Sequence, residues 1–152
     1  EDDGLRRWPM EHYAELVKKL NAHSFQIAIT GSQGDAWVLP YLEGLEFANC
    51  IGQFDLLGLI GLLQHCKLLI THDSGPLHLA KLAGCRALAL FGPTNPWEKV
   101  SLEERVRVLW GGERLACRPC YNGKTYASCL ENRCLAEILP QTVYLEALSL
   151  LT

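Results

Sequence analysis

No apolar run in this 152-residue chain is long enough to cross a membrane, for the longest, near residues 56–63, stops well short of the ~18 residues a span requires. The opening Glu1-Asp2-Asp3 is unlike the basic and then apolar start of a secretory leader. Basic excess is also missing: 14 Lys and Arg stand against 17 Asp and Glu, the formal net charge is −3, and no basic run stands out, which argues against a nucleic-acid partner. No Gly-x-Gly-x-x-Gly follows any strand candidate, which disfavours a nicotinamide-dependent dehydrogenase. A soluble, cytoplasmic protein is the expectation that these absences leave. With 49% hydrophobic and 20% charged residues, the chain has the composition of one globular domain with a substantial core.

What is present centres on Lys67 to Ala80. Leu68, Leu69, Ile70 and Thr71 suit a short strand buried on both faces, and from Pro76 onward apolar residues recur at helical spacing until Gly84. The stretch between, His72-Asp73-Ser74-Gly75, is therefore a strand-to-helix turn. The first amides of a helix have no intrahelical partner and carry about half a positive charge, so a phosphate fits there. Pro76 suits the first helical position, Gly75 lets a ligand approach the backbone, and Ser74 and His78 share one face of the turn. The competing reading is that Asp73 or Ser74 merely caps the helix and His78 merely packs.

Other segments repeat the strand-then-turn pattern. Trp8-Pro9 opens a helix through Tyr13, Leu16, Val17 and Leu20, with Arg6 and Arg7 just before it. The residues from Phe25 to Thr30 read as a strand meeting Gly31-Ser32-Gln33-Gly34-Asp35, followed by a helix from about Ala36 to Leu45, at whose start Asp35 is a cap or a ribose acceptor. A short strand from Ala48 to Ile51 leads through Phe54 to a helix capped by Asp55. Strands from Arg86 to Phe91 and from Val106 to Trp110 follow, the first ending in the rigid loop Gly92-Pro93-Thr94-Asn95-Pro96, and Pro140 to Leu151 forms a closing amphipathic helix. Strands alternating with helices give an α/β, Rossmann-like parallel sheet with helices on both faces. Because a turn and helix come first, with no strand before them, an upstream strand is expected to be absent.

Seven cysteines are many for such a protein. Cys50, Cys66 and Cys85 border apolar segments as buried thiols. Cys117, Cys120, Cys129 and Cys134 cluster, and could complete a tetrahedral zinc site in a zinc-stabilised interaction module. The second pair lacks the usual two-residue spacing, so free or oxidation-prone thiols shaping a loop are the favoured reading.

Taken together, Trp8-Pro9, Gly31-Ser32, the run from Asp73 to Ala80 and the loop from Phe91 to Pro96 resemble the C-terminal domain of the lipopolysaccharide heptosyltransferase family, ADP-heptose-using glycosyltransferases of GT-B fold. The resemblance covers nearly the whole chain in order, making residues 1–152 one nucleotide-sugar-binding domain. It implies that Asp73, Ser74 and Gly75 line the diphosphate and sugar and that His78 supports the same helix entrance. Arg6 takes the place of a basic diphosphate contact that is usually lysine in the family. Asp35 corresponds to the ribose-holding acid, Phe54 to the residue beside the adenine, and Thr94 to the loop closing over the sugar. The implied reaction is inverting transfer of heptose to a lipopolysaccharide inner-core sugar, with no cofactor beyond the donor, since helix-end amides and an arginine stabilise the leaving group. The general base is expected in an absent N-terminal acceptor domain. The resemblance further implies a cytoplasmic protein at the inner face of the inner membrane, peripherally associated in its longer form. Another nucleotide-binding Rossmann-like domain is the alternative.

Overall fold

In the computed structural model the described residues are 5–101, 105–129 and 131–152. Helix α1, Met10–Asn21, leads to strand β1, Ala28–Gly31, and then to β2, Ala48–Ile51. Helix α2, Leu56–His65, precedes β3, Leu69–His72, and α3, Gly75–Ala83, precedes β4, Ala87–Phe91. Strand β5, Val106–Trp110, is followed by the short α4, Arg133–Ala136, and by α5, Pro140–Leu151. Every strand pair is parallel, so the α/β expectation holds.

β4 shows why the sheet must be covered on both sides. All five of its residues are buried. By the two-residue strand period, Leu88 and Leu90 face one layer with Trp8, Leu16, Val143 and Ala147, whereas Ala87, Ala89 and Phe91 face the other with Leu63, Leu77 and Ala80. Trp8 is wholly buried in the first layer, and its indole N–H donates to the Ile138 carbonyl at 2.9 Å, tying the start of α1 to the entrance of α5.

Among the described residues the sheet is in two sections, β1–β2 and β3–β4–β5, with no ladder between β1 and β3. Both sections lie against the layer around Trp8, since Ile27 and Ile70 pack on it. The Tyr13 hydroxyl adds a link across α1, 2.6 Å from His72 Nε2. Burial pushes the Tyr13 phenol well above its usual range, with Arg7 pulling the other way, so the hydroxyl stays protonated.

Three local expectations need correction, and one element was not anticipated. β1 begins at Ala28 rather than Phe25 and includes Gly31. The helix expected from Ala36 to Leu45 is a 3-10 helix over Gln33–Leu42, and Pro40 inside it removes an amide that an α-helical ladder would use. Pro76 occupies the second helical position because Gly75 already belongs to α3 and Ser74 is the N-cap residue. Finally, α4 had no visible signal: it starts at Asn132 in the left-handed region, φ 46°, and is wedged against glycines. Gly84 does end α3 in the left-handed conformation, φ 70°, as its position suggested.

The wedge is tight enough to test. A Cβ on Gly111 would lie 1.8 Å from the Cys134 carbonyl oxygen and 2.8 Å from Ile138 Cγ1. Gly111→Ala should therefore destabilise the fold by about 2–4 kcal/mol, read as a lower urea midpoint, whereas an unchanged midpoint would mean that α4 moves aside freely.

Candidate functional site

The turns after β3 and β4 meet because the two strands are adjacent and in parallel register, Leu69 opposite Ala87 and His72 opposite Leu90. Their carboxyl ends therefore open at one edge, the usual ligand side of such sheets. There the buried Thr94 hydroxyl donates to Asp73 Oδ2 at 2.9 Å. The bond locks the β4 loop to the β3–α3 turn.

Neither side chain suggested as a cap serves as one. No side chain caps α3. The Asp73 carboxylate is engaged by Thr94, while Ser74 Oγ sits 3.0 Å from Thr71 Oγ1 and donates to the His72 carbonyl at 3.3 Å. The helix entrance thus keeps its positive end free of a competing side chain. Gly75 is not required by backbone strain, since its φ lies outside the left-handed region and a Cβ there would meet nothing within 4 Å. What its lack of a side chain supplies is room.

A cavity of about 210 Å³ opens over this turn. It brings together six residues anticipated from the sequence: Arg6, Asp73, Ser74, Gly75, His78 and Thr94. Arg6 Nη1 donates to the Asp73 carbonyl at 3.3 Å, so the segment before α1 reaches the central turn. Asp35 and Phe54 do not line this cavity. The Asp35 carboxylate accepts hydrogen bonds from the Ser32 amide at 2.7 Å and the Ser32 hydroxyl at 2.8 Å, in a capping box at the 3-10 helix. Phe54 is exposed just before α2, where Asp55 caps by accepting from the Gly58 amide at 2.8 Å. Both nonetheless follow the carboxyl ends of β1 and β2, on the same edge of their section.

Three further residues line the cavity: Lys99, Tyr121 and Tyr126. The tyrosines arrive on a small hairpin. The Asn122 carboxamide oxygen accepts from the Lys124 and Thr125 amides, each at 2.9 Å, Gly123 takes φ 94°, and an antiparallel bridge pairs Tyr121 with Tyr126. Asn122-Gly123 is a turn dipeptide, so the hairpin had a sequence signal, but its contact with the cavity did not. That contact is made by the Cys120 and Tyr121 amides, both donating to the Pro93 carbonyl.

The clustered cysteines are all free. Among the described residues, no three His, Cys, Asp or Glu side chains are grouped to hold a metal ion. Cys117 and Cys129 are exposed, whereas Cys134 is half-buried beside Gly92 and Gly112. Burial chiefly pushes the Cys134 thiol up to about 11, the Leu135 amide opposes this, and the neighbouring Cys120, Cys129 and Cys117 add to it.

The model of glycosyltransferase family 9 (heptosyltransferase) matches residues 4–130. Lipopolysaccharide heptosyltransferase 2 of Salmonella typhimurium is 33% identical over 111 residues, which is 68% of this chain and 32% of that protein. The Escherichia coli ADP-heptose LPS heptosyltransferase II structure superposes with TM-score 0.78 at 30% identity, covering 99% of this chain and 44% of that one. A family 9 glycosyl transferase from Veillonella parvula gives the same TM-score, 0.78, at 27% identity, again over 99% of this chain and 44% of the other. The chain spans about a third of the length of the curated relatives it matches first, 32% in each.

Two outcomes follow from this geometry. Thr94→Val should cost about 1–3 kcal/mol in chemical unfolding, because it leaves a buried carboxylate oxygen without its donor; a loss within error would show that the loops hold without that bond. For the thiols, a group titrating near 11 is about one part in a thousand thiolate at pH 8, so iodoacetamide should label Cys117 and Cys129 long before Cys134, with Cys134 labelling rising as pH climbs towards 11. Peptide mapping showing Cys134 labelled as fast as Cys117 would refute this.

Proposed function

The chain belongs to glycosyltransferase family 9 (heptosyltransferase), and on that premise we propose that it is the donor-binding part of a longer enzyme transferring heptose from ADP-heptose to the lipopolysaccharide inner core. The observation that carries this reading is the α3 entrance: an uncapped helix N-terminus with an open glycine, facing a cavity also lined by Arg6 and Lys99. Helix-end amides and two cations suit a diphosphate. At about 210 Å³ the cavity has room for the diphosphate but is small for a whole nucleotide sugar, whose binding sites usually run to at least ~300 Å³. The nucleoside and the sugar therefore extend beyond it along the carboxyl edge of the sheet.

In this reading Arg6, Ser74 and Gly75 hold the diphosphate, with His78 supporting the same turn and Thr94 and Asp73 facing the sugar. Asp35, past β1, takes the ribose hydroxyls, and Phe54, past β2, flanks the adenine. Asp35 would exchange part of its hydrogen bonding to Ser32 for the ribose. In the transfer step the acceptor hydroxyl oxygen bonds to the anomeric carbon from the face opposite the leaving group. The bond from that carbon to the β-phosphate oxygen breaks, ADP departs with the electron pair, and the hydroxyl proton passes to a general base. Charge gathering on ADP is met by the α3 amides and Arg6, and no cofactor is called on. The base belongs to a facing domain outside these 152 residues, and in this reading the longer protein works at the inner face of the inner membrane with the acceptor supplied from the lipid surface.

The interrupted sheet supports a larger parent. Ordinary doubly wound sheets run 3-2-1-4-5-6, and β2-β1 with β3-β4-β5 reproduce all but the first position. A parallel strand between β1 and β3 would complete the order and pair the facing edges.

ADP titrated calorimetrically into this chain and into a longer version with the facing domain should bind both, more weakly to the short one, and heptose transfer should occur only with the longer one. Transfer by the short chain would locate the base within it and overturn the division of labour. Gly75→Val, which the fold accommodates, should weaken ADP binding by about 1–3 kcal/mol with little change in melting temperature. Unaltered affinity would place the diphosphate elsewhere.

A further inference from the structure

Arg6 is held from two sides by elements remote in sequence. On one side its Nη1 donates to the Asp73 carbonyl at 3.3 Å. On the other its guanidinium carbon lies 5.8 Å from the centre of the Tyr126 ring, and Tyr126 in turn stacks on Tyr121, with centroids 4.6 Å apart and planes 29° from parallel. The backing does not float, because the Tyr121 and Cys120 amides donate to the Pro93 carbonyl at 3.1 and 2.9 Å, in the loop that carries Thr94. Two residues after Arg6, buried Trp8 fixes the main chain.

We propose that Tyr126, backed by Tyr121, is a positioning residue whose ring face attracts the Arg6 guanidinium and orders it for the phosphate-bearing ligand before that ligand arrives. This rests on the donor-site reading above. The physical case is preorganisation. A free arginine side chain loses much rotamer freedom when it grips an anion, and that loss weakens binding unless folding has already imposed it. A guanidinium drawn to an aromatic face by the ring quadrupole can still direct N–H groups elsewhere, so the contact restrains Arg6 without consuming all its donors. An ammonium would gain less, because its compact charge is more strongly hydrated than a guanidinium. The hairpin thus contributes to the cavity through Arg6 as well as by lining it.

The test is a double-mutant cycle on ADP affinity of the intact chain, with melting temperature measured alongside. Tyr126→Leu and Arg6→Lys should each weaken ADP binding about fivefold, and the double variant should be little worse than either alone, because each substitution weakens the same contact. Tyr126→Phe keeps the ring and should retain the wild-type affinity within about twofold. Losses that simply multiply in the double variant, or a Tyr126→Phe variant as weak as Tyr126→Leu, would overturn the positioning role even with ADP binding to the wild type intact. If wild-type chain binds no ADP at millimolar concentration, the donor-site reading falls and this role falls with it. A purely structural effect of Tyr126 would instead appear as a lowered melting temperature with no coupling to Arg6, which also refutes the proposal.

Discussion

The hydrogen bond from Thr94 to Asp73 is the joint on which the cavity depends. Two adjacent parallel strands deliver their loops to one edge of the sheet, but strand pairing alone does not set how the loops lie beyond their last ladder bond. A buried carboxylate that accepts from a buried hydroxyl does, because leaving either group unpaired would be costly. With Asp73 occupied in this way and Ser74 turned back to Thr71 and His72, the entrance of α3 is left to face the cavity. Local hydrogen bonding within the turn therefore creates the exposed helix end.

Around that joint, distant segments converge through main-chain anchors. Trp8, buried and bonded to the Ile138 carbonyl, brings the Arg6 segment in from one side. The Pro93 carbonyl, accepting two amides, brings the tyrosine hairpin in from the other. The cysteine-bearing stretch has a comparable role as packing: Cys134 sits where Gly92, Gly111 and Gly112 have no side chains, so the loop after β5 closes onto the sheet edge. This fit accounts for Cys134, whereas Cys117 and Cys129 stay exposed on the same stretch.

A division within the site also follows from the sheet. Arg6 and the α3 entrance belong with β3 and β4, whereas Asp35 and Phe54 follow β1 and β2 in the section that, among the described residues, no ladder joins to the first. How the two sections lie against each other depends on the packing of Ile27 and Ile70 on the Trp8 layer. A strand filling the interruption would fix that alignment by main-chain pairing.

The residues alone determined the alternation of strands and helices, the cap at Asp55, the stop at Gly84 and the strand-to-helix turn at Asp73 to Gly75. These are local matters, governed by periodicity, backbone preference and the chemistry of a few neighbouring groups. Family likeness carried by four short motifs gave Arg6 and Thr94 their specific roles, which local pattern alone left open. Only the tertiary structure decided that Asp73 is held by Thr94 rather than capping its helix, and that Lys99, Tyr121 and Tyr126 share the cavity with Arg6. Those outcomes depend on contacts between residues separated by up to 120 positions, as between Arg6 and Tyr126, and such contacts leave no periodic trace in the sequence because they are set by how whole layers pack.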